Sequence, residues 1–365
     1  MSELTLVLDP GASLSKIFYS VDAGPLLMLL MLPEVIPTTE EAVTDKAAAV
    51  IAKIPDDKQA WVQWGKEFWA VGQLAKDLGA ATGLKGLKWE PALYKVLAAV
   101  GVIVRQERLS EPINLKLGLL LPNDEYSSYQ EFEPEIQKAL SEFKFQHQKI
   151  SVSLKTFRCR PEGGGLLGWR CAELGQERLN KVITVLAIGF RNASCTWSRR
   201  GAKAEGNTSG LGYYKYLDGI IRRTWGQTYD SLTVPVYLAG SQVSADVLSC
   251  LLRATNPKYQ KSELAKLVKS IKAAREEYCR SLFAWLIEVL PPDTNEIILA
   301  GGTAEYLKPV LTKRYGKDVI TLLPELEQEV KLMFPSSTAA LVPRLLDGYS
   351  FSRSLIKEPV LNGKR

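Results

Sequence analysis

The sequence predicts an α/β protein of two similar halves, each a mixed sheet with helices, flanking a cleft. Three observations carry this. A strand, tight turn, strand pattern occurs twice, at 4–22 and at 182–204. Each copy opens a region in which strands are followed by helices. An apolar strand also runs into Gly301-Gly302 and then into a helical pattern, at 296–311. A supersecondary pattern that recurs within 365 residues points to duplication, and the length suits two domains of ordinary size.

The elements follow in chain order. Strands are expected at 4–8, 16–22 and 26–32. The run "PLLMLLMLP" at 25–33 is bounded by prolines and far short of the roughly 20 residues of a spanning helix, so it reads as a buried strand. "AWVQWGKEFWAVG" at 60–72 places aromatic and β-branched residues either side of Gly65, a hairpin pattern. "EPALYKVLAAVGVI" at 90–103 has apolar residues at helical spacing (Leu93, Val96, Leu97, Val100), with Pro91 near its start. "INLKLGLLLP" at 113–122 is a central strand, followed by a helix expected to break at Pro134. Strand returns at 149–160, then a glycine-rich turn, "RPEGGGLLGW", and a short helix. Three strands are expected within 181–205, a loop at "GNTSGLG", 206–212, and a long helix over 257–290 that stops at Pro291-Pro292. "STAALVPRLLDGY" reads as the last helix.

Composition removes several chemistries. His147 is the single histidine and lies in the polar stretch "KFQHQK", so it reads as a surface residue, and a histidine-rich zinc site is impossible. The five cysteines form no C-x-x-C pair and read as reduced thiols of a cytosolic protein. A net charge of +6 is a mild basic excess, below what a dedicated nucleic-acid binder carries. No signal peptide is visible, because Glu3 and Asp9 stand where a basic segment belongs.

Four segments carry candidate chemistry. In "DPGASLSK", Asp9 to Lys16, the turn N–H groups would hold a phosphate, Asp9 a magnesium ion through water, and Lys16 phosphate charge; the same stretch also reads as an ordinary hairpin with a surface acid. "LAGGTAEYL" brings Gly301, Gly302 and the helix-capping Thr303 to a strand–helix turn, which admits a flat ligand or an anion, or is simply a tight turn. "AIGFRNAS", with Gly189 in its turn, matches the first unit in shape. Glu162 stands beside three glycines, where a carboxylate could orient a water for attack on phosphate or be a solvated loop acid.

In their chain order, "DPGASLSK", "RPEGGG", "AIGFRNAS" and then "LAGGTAEYL", the segments resemble the actin-like ATPase superfamily, and within it the bacterial ParM/StbA group of plasmid-segregation filament proteins. "DPGASLSK" fits the group's D-x-G-x-x-x-x-K loop, "RPEGGG" its Pro-Glu turn, "GNTSGLG" its glycine-rich segment before a helix, and "ILAGGTAEYLKPVL" its adenosine motif. The resemblance implies an actin-like, ribonuclease H-like duplicated fold: domain I over 1–160 with a C-terminal helix at 335–365 packing back, and domain II over 161–334. It implies ATP or GTP with Mg2+ between the domains, held by Asp9, Gly11, Ala12, Ser13 and Lys16. Gly189, Phe190, Arg191, Asn192, Gly210, Gly301, Gly302 and Thr303 would complete that site. Glu162 matches the catalytic acid and Asp9 the metal-side residue. One departure stands out: the phosphate-2 loop of the family begins with aspartate, and this chain has Ala187. Removing a carboxylate from a magnesium site puts fast hydrolysis in doubt, with Arg191 either contacting phosphate or facing solvent.

The expected function is a cytoplasmic filament protein, with itself and a DNA-binding adaptor as partners, a plasmid as cargo, and no direct contact with nucleic acid or membrane. A sugar- or acetate-type kinase of the same superfamily is the alternative; no acid is placed for its substrate hydroxyl. A chaperone ATPase would carry a further domain past Arg365, and the tail "SRSLIKEPVLNGKR" lacks the apolar stripe of a membrane anchor. The stretches 60–72 and 81–91 read as core or as filament contacts.

Overall fold

The computed structural model describes residues 1–48, 54–81, 83–84 and 86–358. The expectations for Thr82, Lys85 and the tail from Pro359 onward lie outside them. The chain divides into two compact units: Met1–Leu174 with the segment from Pro324 onward, and Gly175–Leu323.

The first unit opens with β1 (Ser2–Pro10), β2 (Ser15–Val21) and β3 (Leu27–Met31), an antiparallel meander. β4 (Val35–Thr38), α1 (Glu40–Ala48), the hairpin β5 (Trp61–Trp64) and β6 (Glu67–Val71), and α2 (Gln73–Asp77) follow. Next come α3 (Trp89–Gln106), β7 (Ile113–Leu121), α4 (Asn123–Tyr126) and α5 (Tyr129–Ser141). The hairpin β8 (Phe143–Phe145) and β9 (Gln148–Ile150), then β10 (Val152–Pro161) and α6 (Gly164–Leu174), close this stretch. The main sheet runs β10-β7-β1-β2-β3, and a second sheet runs β4-β6-β5-β8-β9.

The second unit repeats the plan. β11 (Val182–Ile188), β12 (Ala193–Arg199) and β13 (Glu205–Ser209) form the meander. α7 (Tyr213–Ile221), α8 (Tyr229–Ala239), α9 (Ala245–Leu248) and α10 (Pro257–Val289) precede β14 (Glu296–Ala300), α11 (Gly302–Tyr315) and β15 (Ile320–Thr321). Its sheet, β13-β12-β11-β14-β15, is the first unit's order read from the other edge. In both, the first strand pairs antiparallel with the second and parallel with a later strand, β7 or β14. The duplicated α/β fold expected from the sequence is present. The chain then returns to the first unit through α12 (Pro324–Met333) and α13 (Val342–Lys357).

Packing explains where the first unit ends. Both faces of β1 are buried, with Leu4, Leu6 and Leu8 alternating with an equally buried Val7. Leu4, Leu6 and Leu8 cluster with α3, where Val96, Leu97, Val100 and Ile103 are fully buried; each such side chain contributes about 1.5–3 kcal/mol. α13 brings Phe351 against Gly118 of β7, and Gly348 against Phe18 of β2. α6 lies on α13, so residues 161–174 belong to the first unit, where the sequence reading placed the boundary at 160. Phe334, just after α12, reaches both Phe18 and Tyr349, and the return begins at Pro324 where 335 was expected.

Three local expectations are corrected. "GNTSGLG" is not a loop throughout: β13 pairs with β12 from Glu205 to Ser209, an edge strand held by backbone bonds. The glycine-rich turn is shorter than read, because Gly164 and Gly165 already lie in α6. The helix after β7 breaks at Ser127–Ser128, not at Pro134, which sits inside α5. The hairpin at 60–72 is largely core, with Trp61, Val62, Ala70 and Val71 buried and Trp69 stacked on Tyr94. His147 is exposed and meets the Trp61 ring edge-on, and all five cysteines are free thiols. Among the described residues no helix is long and apolar enough to cross a membrane.

Candidate functional site

In the first unit the antiparallel register sets Asp9 opposite Lys16, and four residues, Gly11 to Leu14, turn the chain between Pro10 and Ser15. The Lys16 Nζ lies 2.5 Å from the Asp9 carboxylate, with both side chains mostly buried. The Gly11 N–H donates to the Asp9 carbonyl at 2.9 Å. A β-carbon on Gly11 would stand 2.6 Å from the Leu14 carbonyl oxygen, so the turn admits only glycine there. Arg344 of α13 donates to the Ser13 hydroxyl at 3.0 Å, while the neighbouring Ser15 hydroxyl is buried without a hydrogen-bond partner. Ala12 is half-buried in the turn. The turn thus gathers a carboxylate, an ammonium, a guanidinium and an unsatisfied hydroxyl, groups suited to an anion and its cation.

Glu162 belongs to the same unit. Its N–H donates to the Leu121 carbonyl at 2.7 Å, which fixes it at the ends of β10 and β7. Its carboxylate is ion-paired with Lys88, a buried lysine at the entry to α3. Asp347 of α13 accepts from Gly163 N at 2.7 Å and Leu166 N at 3.0 Å, and so caps α6 from a distant part of the chain. Burial pushes the Asp347 carboxyl up to about 6; the two N–H bonds oppose this, and the charges of Asp9 and Glu162 add to the rise.

That shift makes a prediction. The folded value lies above the ordinary 3.8, so between about pH 4 and pH 6 the folded protein holds the extra proton and stability falls as pH rises. The contribution is complete below about pH 4 and lost above about pH 6, a loss of about 3 kcal/mol. Asp347→Asn removes this slope. Urea denaturation from pH 4 to pH 7 checks it: the difference between wild type and variant should change across this window, and a constant difference would refute the assignment.

In the second unit the turn between β11 and β12 also has four residues, Gly189 to Asn192. Gly189 N donates to Asn192 O at 2.9 Å. The Gly189 carbonyl accepts from Tyr213 N at 3.0 Å and from the Thr303 hydroxyl at 2.9 Å. The turn is therefore tied to the first residues of both α7 and α11. Gly301 has φ of +86°, and a β-carbon there would stand 2.5 Å from the Ile188 carbonyl oxygen. Only glycine lets β14 enter α11, whose first residue is Gly302, this close to β11.

The structure thus brings Gly189, Gly301 and Thr303 together. Gly210 is exposed, between β13 and α7. Phe190 packs toward the second core, 6.4 Å from the Tyr213 ring. Arg191 does not face solvent: it is buried, and its Nε donates to Asn192 Oδ1 at 3.2 Å. Ala187 pairs with Ser194 across β12 and with Ala300 across β14, the counterpart of the Asp9–Lys16 position in the first unit.

Sequence reasoning missed Lys88, Asp347, Arg344 and Ser15. Asp347 alone left a signal, an acid set among Leu345, Leu346, Tyr349 and Phe351.

No protein-family model matches the sequence, and no curated protein does. Solved structures do match in fold. A ParM of Clostridium botulinum, solved as a 15-stranded filament, is 12% identical with a TM-score of 0.61, covering 97% of this chain and 99% of that one. Apo psk41 ParM is 11% identical with a TM-score of 0.56, covering 98% of both chains. An archaeal actin homologue in complex with ADP is 11% identical with a TM-score of 0.56, covering 97% of this chain and all of that one. The chain has the actin-like fold of these ParM-type structures.

Proposed function

We propose that this chain is a nucleotide-binding, filament-forming cytoskeletal protein of the prokaryotic actin-like kind. The observation that carries the reading is the Asp9–Lys16 pair at the mouth of a glycine turn in a duplicated actin-like fold. The Gly11 turn with Lys16 and Ser15 would take phosphate oxygens. The Gly301–Thr303 turn would take the nucleoside side. Solved proteins of this fold include one that binds ADP and one that builds a 15-stranded filament, and both support the reading.

Among the described residues no three His, Cys, Asp or Glu side chains gather as a metal cage. The donor set suits Mg2+ carried by nucleotide phosphates, with Asp9 acting through its water shell. Such an ion would supply charge neutralisation at the phosphates. Glu162 would orient the attacking water. ATP and GTP both fit the proposal. Plasmid or other DNA segregation through a DNA-binding adaptor is the cellular role we attach to it.

The test is sedimentation and light scattering with ATP, GTP, ADP and no nucleotide. Triphosphate should bring the protein into the pellet above a critical concentration. A chain that binds nucleotide yet stays monomeric at tens of micromolar (an order-of-magnitude choice) favours the kinase alternative. Asp9→Ala should weaken Mg2+-dependent nucleotide binding at least about tenfold, since charge-assisted contacts are worth roughly 1.5–3 kcal/mol. Calorimetry with unchanged affinity would remove Asp9 from the site.

A further inference from the structure

We propose that Lys88 is a positioning residue that clamps Glu162, holding its carboxylate in an ion pair until a terminal phosphate draws the ammonium away. The inference rests on reading Glu162 as the residue that orients the attacking water.

The pair is built in. The side chains of Lys88 and Glu162 are 8% and 16% exposed. On one side, Lys88 N and Trp89 N donate to the same oxygen of Glu125 at 2.5 and 3.0 Å, and Glu125 is itself buried. Those two hydrogen bonds fix the backbone from which Lys88 projects. On the other, Glu162 N is held by Leu121 O, and Gly163 N by Asp347. The backbones from which both side chains project are thus fixed, and only side-chain rotation separates the pair. An exposed ion pair has no such anchors and is worth little.

The chemistry gives the pair a consequence. Hydrolysis forms a bond between water oxygen and the terminal phosphorus and breaks the bridging P–O bond. The diphosphate leaves, and the water's protons pass to phosphate and solvent. A carboxylate assists by accepting a hydrogen bond from that water, which needs a free oxygen and undiminished negative charge. An ammonium against the carboxylate takes one of its lone-pair sites and cancels its charge. A terminal phosphate carries more negative charge than a carboxylate and binds lysine as a point charge. It therefore competes for Lys88 and frees Glu162 only for the fraction of time in which it holds the ammonium, so the clamp still slows the loaded protein. Clamping adds to the effect of Ala187 in keeping hydrolysis slow.

The experiment measures phosphate release from Mg2+-ATP by the full chain for wild type, Lys88→Met, Glu162→Gln and the double variant. Displacement of a fluorescent ATP analogue is measured beside it. Lys88→Met should raise release about tenfold, and the double variant should fall back to the level of Glu162→Gln. A merely structural lysine would not make the gain depend on the Glu162 carboxylate. Unchanged or lower release in a Lys88→Met protein that still binds the analogue overturns the clamp and leaves the nucleotide reading standing. No analogue binding by wild type overturns both. Competitive acetylation of the full chain gives a second readout if Lys88→Met fails to fold. In wild type without nucleotide the Lys88 amine should react slowly, and in Glu162→Gln at least about fivefold faster, because its buried partner charge is gone. Equal reactivity overturns the proposal.

Discussion

Gly165→Ala is expected to cost the first unit on the order of 4 kcal/mol or more, enough to unfold a marginal protein. A β-carbon at this position would stand 2.2 Å from the Asp347 carbonyl oxygen and 2.8 Å from its carboxylate. The first obstacle is backbone in the middle of α13, so no side-chain rotation relieves it. Separating α6 from α13 would strip the cap from Gly163 and Leu166 and leave the buried Asp347 carboxylate without its donors. It would also loosen α13 from the main sheet, where Phe351 and Leu345 are fully buried. Gly168→Ala is the control: its nearest neighbour is the end of the Arg160 side chain at 3.2 Å, which can swing aside. Urea midpoints for the two variants decide the matter. A Gly165→Ala protein within about 1 kcal/mol of wild type would mean that α6 and α13 are not in close contact.

Ala187→Asp is expected to raise phosphate release from a few-fold up to about a hundredfold, since a preorganised charged group in such a site is typically worth about 2.7–4 kcal/mol and one group restored to an adapted loop gives less. The duplicated topology supports the position. Asp9 pairs with Lys16 one step before the end of its hairpin, and Ala187 pairs with Ser194 one step before the end of the matching one. A carboxylate on half-buried Ala187 also carries a cost. Without nucleotide and Mg2+ it loses hydration with Ser194, where Asp9 has Lys16, as its partner across the hairpin, so the free variant should melt below wild type. Saturating Mg2+-ATP should recover more melting temperature in the variant than in wild type. A neutral rate together with an unchanged response to Mg2+-ATP would show that the position lies off the reaction path.

Much of the first unit's turn was legible because its parts are neighbours in sequence. Asp9, Gly11 and Lys16 fall within one hairpin, and largely apolar runs mark the strands on either side. The Gly301–Thr303 turn was legible for the same reason, an apolar strand meeting two glycines and a helix cap. Lys88 was not, because its partner lies 74 residues away and nothing local marks a lysine before a helix as buried. Asp347 reaches Gly163 across 184 residues, and the sequence shows only an acid in apolar company. The third strand of the second meander was expected within 181–205 and lies later, at β13, because an edge strand held by backbone bonds needs no apolar alternation, and "EGNTS" has none. Arg191 was left open between phosphate and solvent; it is buried beside Asn192, a tertiary outcome that no spacing encodes.

The return of the chain through α12 and α13 has a consequence for biosynthesis. The second unit is one uninterrupted stretch and has everything it needs once residue 323 has left the ribosome. The first unit, although begun earlier, lacks the helix that covers Val7 and Phe18 and the carboxylate that caps α6 until Asp347 and Phe351 are made. The usual N-to-C order of vectorial folding is thus reversed. The later-made unit is expected to mature first, and the earlier one keeps an uncovered sheet face until α13 is made. During that wait, nascent-chain chaperones have an apolar surface to hold, and the segment after Glu162 gains its Asp347 cap only once α13 is made.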